Sequence, residues 1–200
     1  GVLWHIRPLR IITMGFCAVV ALVGADDVAL VFLAQGPLGG GQSAASMLYA
    51  GAGVGLLIGF AVVANVGPRV SMVTLLLIGF AISSSGNALT GLAWSVPMAF
   101  AFQVVRGLGI SAVEVGVNTT VQRVVPSGMQ GRAFANLYGF IGLAAGLSYI
   151  VGGPLLDATG PRFILVAGGI GGLVATAWMA LRLPAAQRGA READNVADSA

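Results

Sequence analysis

Four ionisable side chains stand inside otherwise apolar stretches. Asp26 and Asp27 interrupt GFCAVVALVGADDVALVFLAQ, and Arg106 and Glu114 interrupt PMAFAFQVVRGLGISAVEVGVN. A charge surrounded by hydrocarbon must pair, reach water or serve a function, because apolar surroundings solvate it poorly. Arg106 does not readily surrender its proton, so it needs a counter-charge. Asp26 and Asp27 are the nearest candidates in kind. Neighbours on a helix point about 100° apart, so the two carboxylates hardly face one partner together. One lines a cavity while the other pairs or sits protonated, and an unpartnered carboxylate in such a place is a candidate proton carrier. The plainer alternative is a static Asp–Arg pair that only orients helices. Glu114 follows Arg106 by about 12 Å on a helix, near enough to one membrane surface to pair simply with Arg69, Arg123 or Arg132.

Other chemistries find little support. Cys17 is the only cysteine and sits in an apolar run, so neither a disulfide framework nor a cysteine metal site is available. Gly107-Leu108-Gly109-Ile110-Ser111-Ala112 has the form G-x-G-x-x-A, but no strand precedes it, and a dinucleotide fold needs strand, turn and helix in that order. Ser83-Ser84-Ser85-Gly86 looks like an intramembrane serine-protease motif. Its glycine two places before Ser84 is replaced by Ile82, and the one histidine, His5, lies outside the apolar runs, so no base is in reach. There is no P-loop and no paired-histidine site. No cofactor, no metal and no enzymatic activity are expected. The formal charge of +3 is too scattered for a nucleic-acid footprint.

The elements that position these residues follow from composition. Of 200 residues, 57% are hydrophobic and only 8% charged, where a soluble domain carries about 25% charged residues. Mean hydropathy is +0.93. Lipid is the expected solvent. A membrane-crossing helix needs about 20 apolar residues, and six stretches qualify: 11–34, 44–64, 70–90, 96–117, 133–156 and 163–183. Residues 1–10 form a cytoplasmic lead-in and 184–200 a polar, disordered cytoplasmic tail. Turn formers separate the spans: Gly36 to Gly41, Asn65 to Arg69, Gly86-Asn87 through Ser95, the turn at Pro126, and Thr159-Gly160-Pro161. All basic residues are arginine. With the amino end in the cytoplasm, Arg7, Arg10, Arg69, Arg123, Arg132, Arg182, Arg188 and Arg191 fall inside and Arg162 alone outside, as the positive-inside rule requires.

A weak internal repeat fits this layout. Gly67-Pro68-Arg69 joins spans two and three, and Gly160-Pro161-Arg162 joins spans five and six, 93 positions on (160 minus 67). Three spans per unit is an odd number, so the second unit is inverted, and 3+3 inverted repeats mark many transporters. Gly51, Gly55 and Gly59 recur every four residues, a small-residue face for close helix packing. Gly139, Gly142, Gly146, Gly152 and Gly153 predict the same for span five.

Taken in order, Arg106-Gly107-Leu108-Gly109, Gln122-Arg123-Val124-Val125-Pro126, Gly131-Arg132-Ala133-Phe134 and Gly152 to Asp157 followed by Gly160-Pro161-Arg162 resemble the carboxy-terminal half, helices seven to twelve, of a major facilitator superfamily (MFS) transporter. The bacterial drug- and siderophore-exporter-like members are the most similar, and the resemblance covers the whole helical region. The family's G-x-L-x-D-R-x-G-R-R loop motif is partly kept at Gly153, Leu155, Asp157, Gly160 and Arg162. Between spans two and three only Gly67 and Arg69 match, with Ala64 and Asn65 where Asp and Arg are usual. The resemblance implies an all-α half-transporter bundle in the bacterial inner membrane, both termini cytoplasmic. Spans one and four would line the path of a small-molecule substrate, with Arg106, Asp26, Asp27 and Glu114 along it. It further implies proton-coupled efflux, an antiport by alternating access. The partners implied are the lipid bilayer, a missing amino-terminal six-helix half or a second copy, and the proton. The rival expectation is a non-transporting six-helix scaffold or truncated remnant.

Overall fold

In apolar surroundings every backbone N–H and C=O must bond within its own segment, and a helix satisfies that demand. The structure, a computed structural model, describes the backbone of residues 7–67 and 70–198 and the side chains of residues 13–65 and 70–182. Among the described residues it is all-helical: α1 (Arg7–Val23), α2 (Asp26–Gln35), α3 (Gly41–Val66), α4 (Met72–Leu92), α5 (Val96–Val124), a 3-10 turn (Ser127–Met129), α6 (Gln130–Thr159) and α7 (Pro161–Asp198). Six helical stretches are long and apolar enough to cross a bilayer: Thr13–Gln35, Gly41–Asn65, Met72–Leu92, Val96–Val124, Ser127–Thr159 and Pro161–Arg182. The outer surface fits that solvent, with Leu57, Leu143, Ile150, Trp94 and Leu181 all exposed. This is the build of a multi-pass membrane protein.

Four details differ from the sequence reading. Span one is not continuous: it breaks at Gly24-Ala25, and α2 restarts at Asp26. Gly86 and Asn87 do not open a loop. They are buried inside α4, because the backbone of Arg106 packs against the bare face of Gly86, and the turn narrows to Ala93–Ser95. Span four does not stop at Val117, since the polar stretch from Asn118 to Arg123 continues the helix to Val124. Lastly, the tail read as disordered keeps a helical backbone to Asp198; its Ala, Arg, Gln and Glu residues are strong helix formers.

Span four is the axis of the packing. α5 lies between α3 and α4, α4 also packs on α7, and α7 continues to α1 and α2. The Gly51, Gly55 and Gly59 stripe of α3 faces α5: Gly55 meets the backbone of Val104 and Gly107, and Gly59 meets Ser111. Here the expectation of close packing holds. Span five is different. A side chain added at Gly139, Gly142, Gly146 or Gly153 would meet no other atom, and only Gly152 touches a neighbour, Ala25. α6 rests chiefly on α1 and barely touches α5, so its glycine face is open rather than packed.

The apolar core falls into separate clusters at the two ends of the bundle. One joins Val19, Leu76, Phe80, Val113, Val117, Leu137 and Met179. Another, around Leu30, Ala34, Leu48, Ala93 and Ala99, closes the opposite end. Between them runs a polar layer.

Candidate functional site

The polar layer is built on the break in span one. Gly24 donates to the Val20 carbonyl at 2.6 Å, closing α1, and a Cβ there would collide with Ser148 of α6. α2 then starts with two carboxylates in its first turn, where the free N–H groups of a helix favour negative charge. Tyr49 of α3 donates its hydroxyl to the Asp27 backbone carbonyl at 2.8 Å, pinning the new helix start.

Arg106 reaches this point from α5. Its Nη2 lies 2.5 Å from Asp26 Oδ2 and 3.8 Å from Asp27 Oδ1. The Asp26 side chain is 4% exposed and that of Asp27 48% exposed, so one carboxylate is committed to the arginine while the other faces outward. The Tyr149 hydroxyl of α6 also reaches the Asp27 carboxylate. Behind the arginine, Nη1 donates to Gln103 Oε1 at 3.3 Å, Gln103 Nε2 donates to Thr90 Oγ1 at 3.2 Å, and Thr90 donates to the Gly86 carbonyl at 2.7 Å. Gln103 and Thr90 are fully buried. This chain fixes the guanidinium from the rear and aims Nη2 at span one. Arg106 Nε and Asn87 Oδ1 are buried without partners.

Glu114 stands two turns further along α5 and takes no arginine among the described residues. Its Oε2 accepts from Asn118 Nδ2 at 3.3 Å and from Tyr138 of α6 at 3.5 Å. Arg123 and Arg132 are exposed, and Arg69 lies outside the described residues, as does His5. The four charged candidates nevertheless share one space. A cavity of about 280 Å³ is lined by Asp26, Asp27, Arg106 and Glu114 together with Phe16, Val19, Val20, Val23, Phe80, Ser83, Ile110, Val113 and Tyr149. Spans one and four supply most of it.

The remaining motif positions lie elsewhere. Gly67 is buried at the end of α3. Gly153 and Asp157 are exposed on α6. Gly160 adopts φ +83°, the left-handed region open to glycine, and so lets α7 begin at Pro161. Arg162 donates to the Gly91 carbonyl at 3.1 Å, tying the start of α7 to the end of α4. Ser84 is buried and packs against Gly172.

Sequence reasoning missed Gln103, Thr90, Tyr49 and Tyr149. Gln103 had a usable signal, since it sits three residues before Arg106 and therefore on the same helix face. Compared with known proteins, the chain matches no family model and no curated protein.

Proposed function

We propose that the chain is one six-helix half of a secondary active transporter of the major facilitator superfamily type, moving a small molecule by alternating access. The observation that carries this reading is the Arg106–Asp26 pair at the break of span one, opening onto a cavity between spans one and four. A broken span with charged groups at mid-membrane is how many transporters hold what they move, and ionisable residues in such a place mark pathways more often than scaffolds. In this reading Asp26 holds Arg106, and Asp27 is the carboxylate free to exchange a proton. Transport is then proton-coupled efflux, an antiport. The two sets of three spans are inverted copies. A second six-helix half, from the same polypeptide or a second copy, closes the open side of the cavity. Arginine placement supports a bacterial inner-membrane location with both termini in the cytoplasm.

Ser83 lines the cavity, which gives a test independent of the substrate. In membrane vesicles carrying the Cys17→Ala, Ser83→Cys protein, an impermeant thiol reagent is applied from each face in turn. Alternating access requires modification from both faces. Modification from one face only, or from neither, leaves a six-helix scaffold.

A further inference from the structure

We infer that a separate, lipid-facing groove between spans one, five and six binds one acyl chain of a membrane phospholipid, and that the chain backs the break in span one. The inference rests on the multi-pass membrane build and is independent of the transporter reading. α6 and α7 both pack on α1 but far less on each other, and a groove of about 360 Å³ is left along their seam. Its floor is made of small buried residues, Ala25, Ser148, Gly152 and Gly168. Its rim carries bulky exposed ones, among them Leu22, Leu147 and Val151. A small floor under a bulky rim makes a slot.

What fills the slot follows from where it lies. Every lining residue falls within the stretches long and apolar enough to cross a bilayer, so the groove opens on hydrocarbon rather than water. Its walls are Ala, Gly, Val, Leu and Ile with the single exception of Ser148, and nothing there repays the desolvation of a charged or strongly polar molecule. A protein helix is too thick. One turn, 5.4 Å long and at least 10 Å across, takes roughly 420 Å³, more than the whole groove. A methylene chain is one carbon wide and passes between the rim residues to the floor, where it gains dispersion contacts on several sides at once. The bilayer supplies such chains as phospholipids. The groove also has a bearing on the polar layer, because α1 and the break are a shared wall. Leu22 and Ala25 face the groove, whereas Val20, Val23 and Gly24 face the cavity that holds Arg106. A chain seated in the groove therefore opposes any movement of the break toward lipid.

The probe is a phosphatidylcholine with a photoreactive diazirine midway along one acyl chain. The purified full 200-residue chain is photolysed with it in detergent micelles at falling lipid content, and the adducts are located by peptide mass spectrometry. Adducts on groove residues should persist at lipid contents where those on Leu57 and Val174, exposed apolar positions outside the groove, have vanished. Ala21→Phe combined with Ala167→Phe sets two rings into the slot from exposed positions. It should reduce the groove adducts about tenfold, the effect of about two methylenes no longer buried, and leave those on Leu57 unchanged. Hydrogen exchange reads the break itself. At a lipid concentration about twice that of half-saturation, exchange in the peptide holding Gly24 and Ala25 should slow about threefold in the parent and stay unchanged in the filled variant. Circular dichroism and a single gel-filtration peak establish that the variant is folded, and Ala167→Leu alone replaces it if it is not. Groove and reference adducts that fade together mean loose lipid only and overturn the proposal. So do groove adducts that survive in the filled variant, cross-links to a second copy of the chain in place of lipid, stronger labelling by a free fatty acid carrying the same diazirine, and exchange at the break that ignores lipid.

Discussion

Asp26 and Asp27 differ by one position and yet live in different solvents. The 100° turn between them sends Asp26 into the protein against Arg106 and leaves Asp27 on the cavity wall. Removing Arg106 therefore strands a buried carboxylate, and removing one side of such a pair costs about 3–5 kcal/mol. Arg106→Ala should lose that order of stability in denaturant unfolding. Adding Asp26→Asn should recover most of it, whereas adding Asp27→Asn should recover little. Equal rescue by both would contradict the assignment of Asp26 as the partner. The need for this pair was legible in the sequence, because a permanent cation among apolar residues has no alternative to a partner. Which carboxylate answers it was not legible, since that depends on the break at Gly24-Ala25. Nor was the rear support by Gln103 and Thr90: neutral polar side chains are tolerated in apolar helices and raise no alarm in a hydropathy profile.

Helices α3 and α5 approach closely because each carries glycine where they cross. A Cβ on Gly107 would collide with the Ala52 carbonyl and the Gly55 Cα. Backbone atoms cannot step aside as a flexible side chain can, and overpacking of this kind costs about 1–3 kcal/mol. Gly107→Ala should lower the unfolding midpoint in detergent accordingly. Gly139→Ala, on the open face of α6, should stay within about 0.5 kcal/mol of the parent. A comparable loss at both positions would sink the distinction between packed and open glycine faces. Periodicity showed both sets of glycines equally well. It could not tell them apart, because a small-residue stripe says that a helix is slim and not that anything lies against it. Gly86-Asn87 misled for the related reason that glycine and asparagine favour turns in water, whereas here Gly86 admits the backbone of α5 and Asn87 donates to the Leu165 carbonyl of α7.

For the whole molecule, the number of spans was legible and their assembly was not. Run length and composition alone give six crossings, since about 20 apolar residues with few charges have little other use. The packing order, with α5 central and α6 at the margin, depends on side-chain shapes that no periodicity encodes. Orientation is a separate expectation, resting on arginine placement. In a background of Cys17→Ala, a cysteine replacing Gly40 should react with an impermeant reagent applied to the outside of intact cells, and one replacing Ser127 should not. The opposite pattern would invert the topology proposed above.

The Asp26–Arg106 bond also imposes a schedule. Its two residues are 80 positions apart, and a ribosome adding about 5–20 residues per second takes roughly 4–16 s to travel from one to the other. Throughout that interval span one has been made and its counter-charge has not. Span one must wait beside water or a helper, with an acid group it can bury for good only when span four arrives.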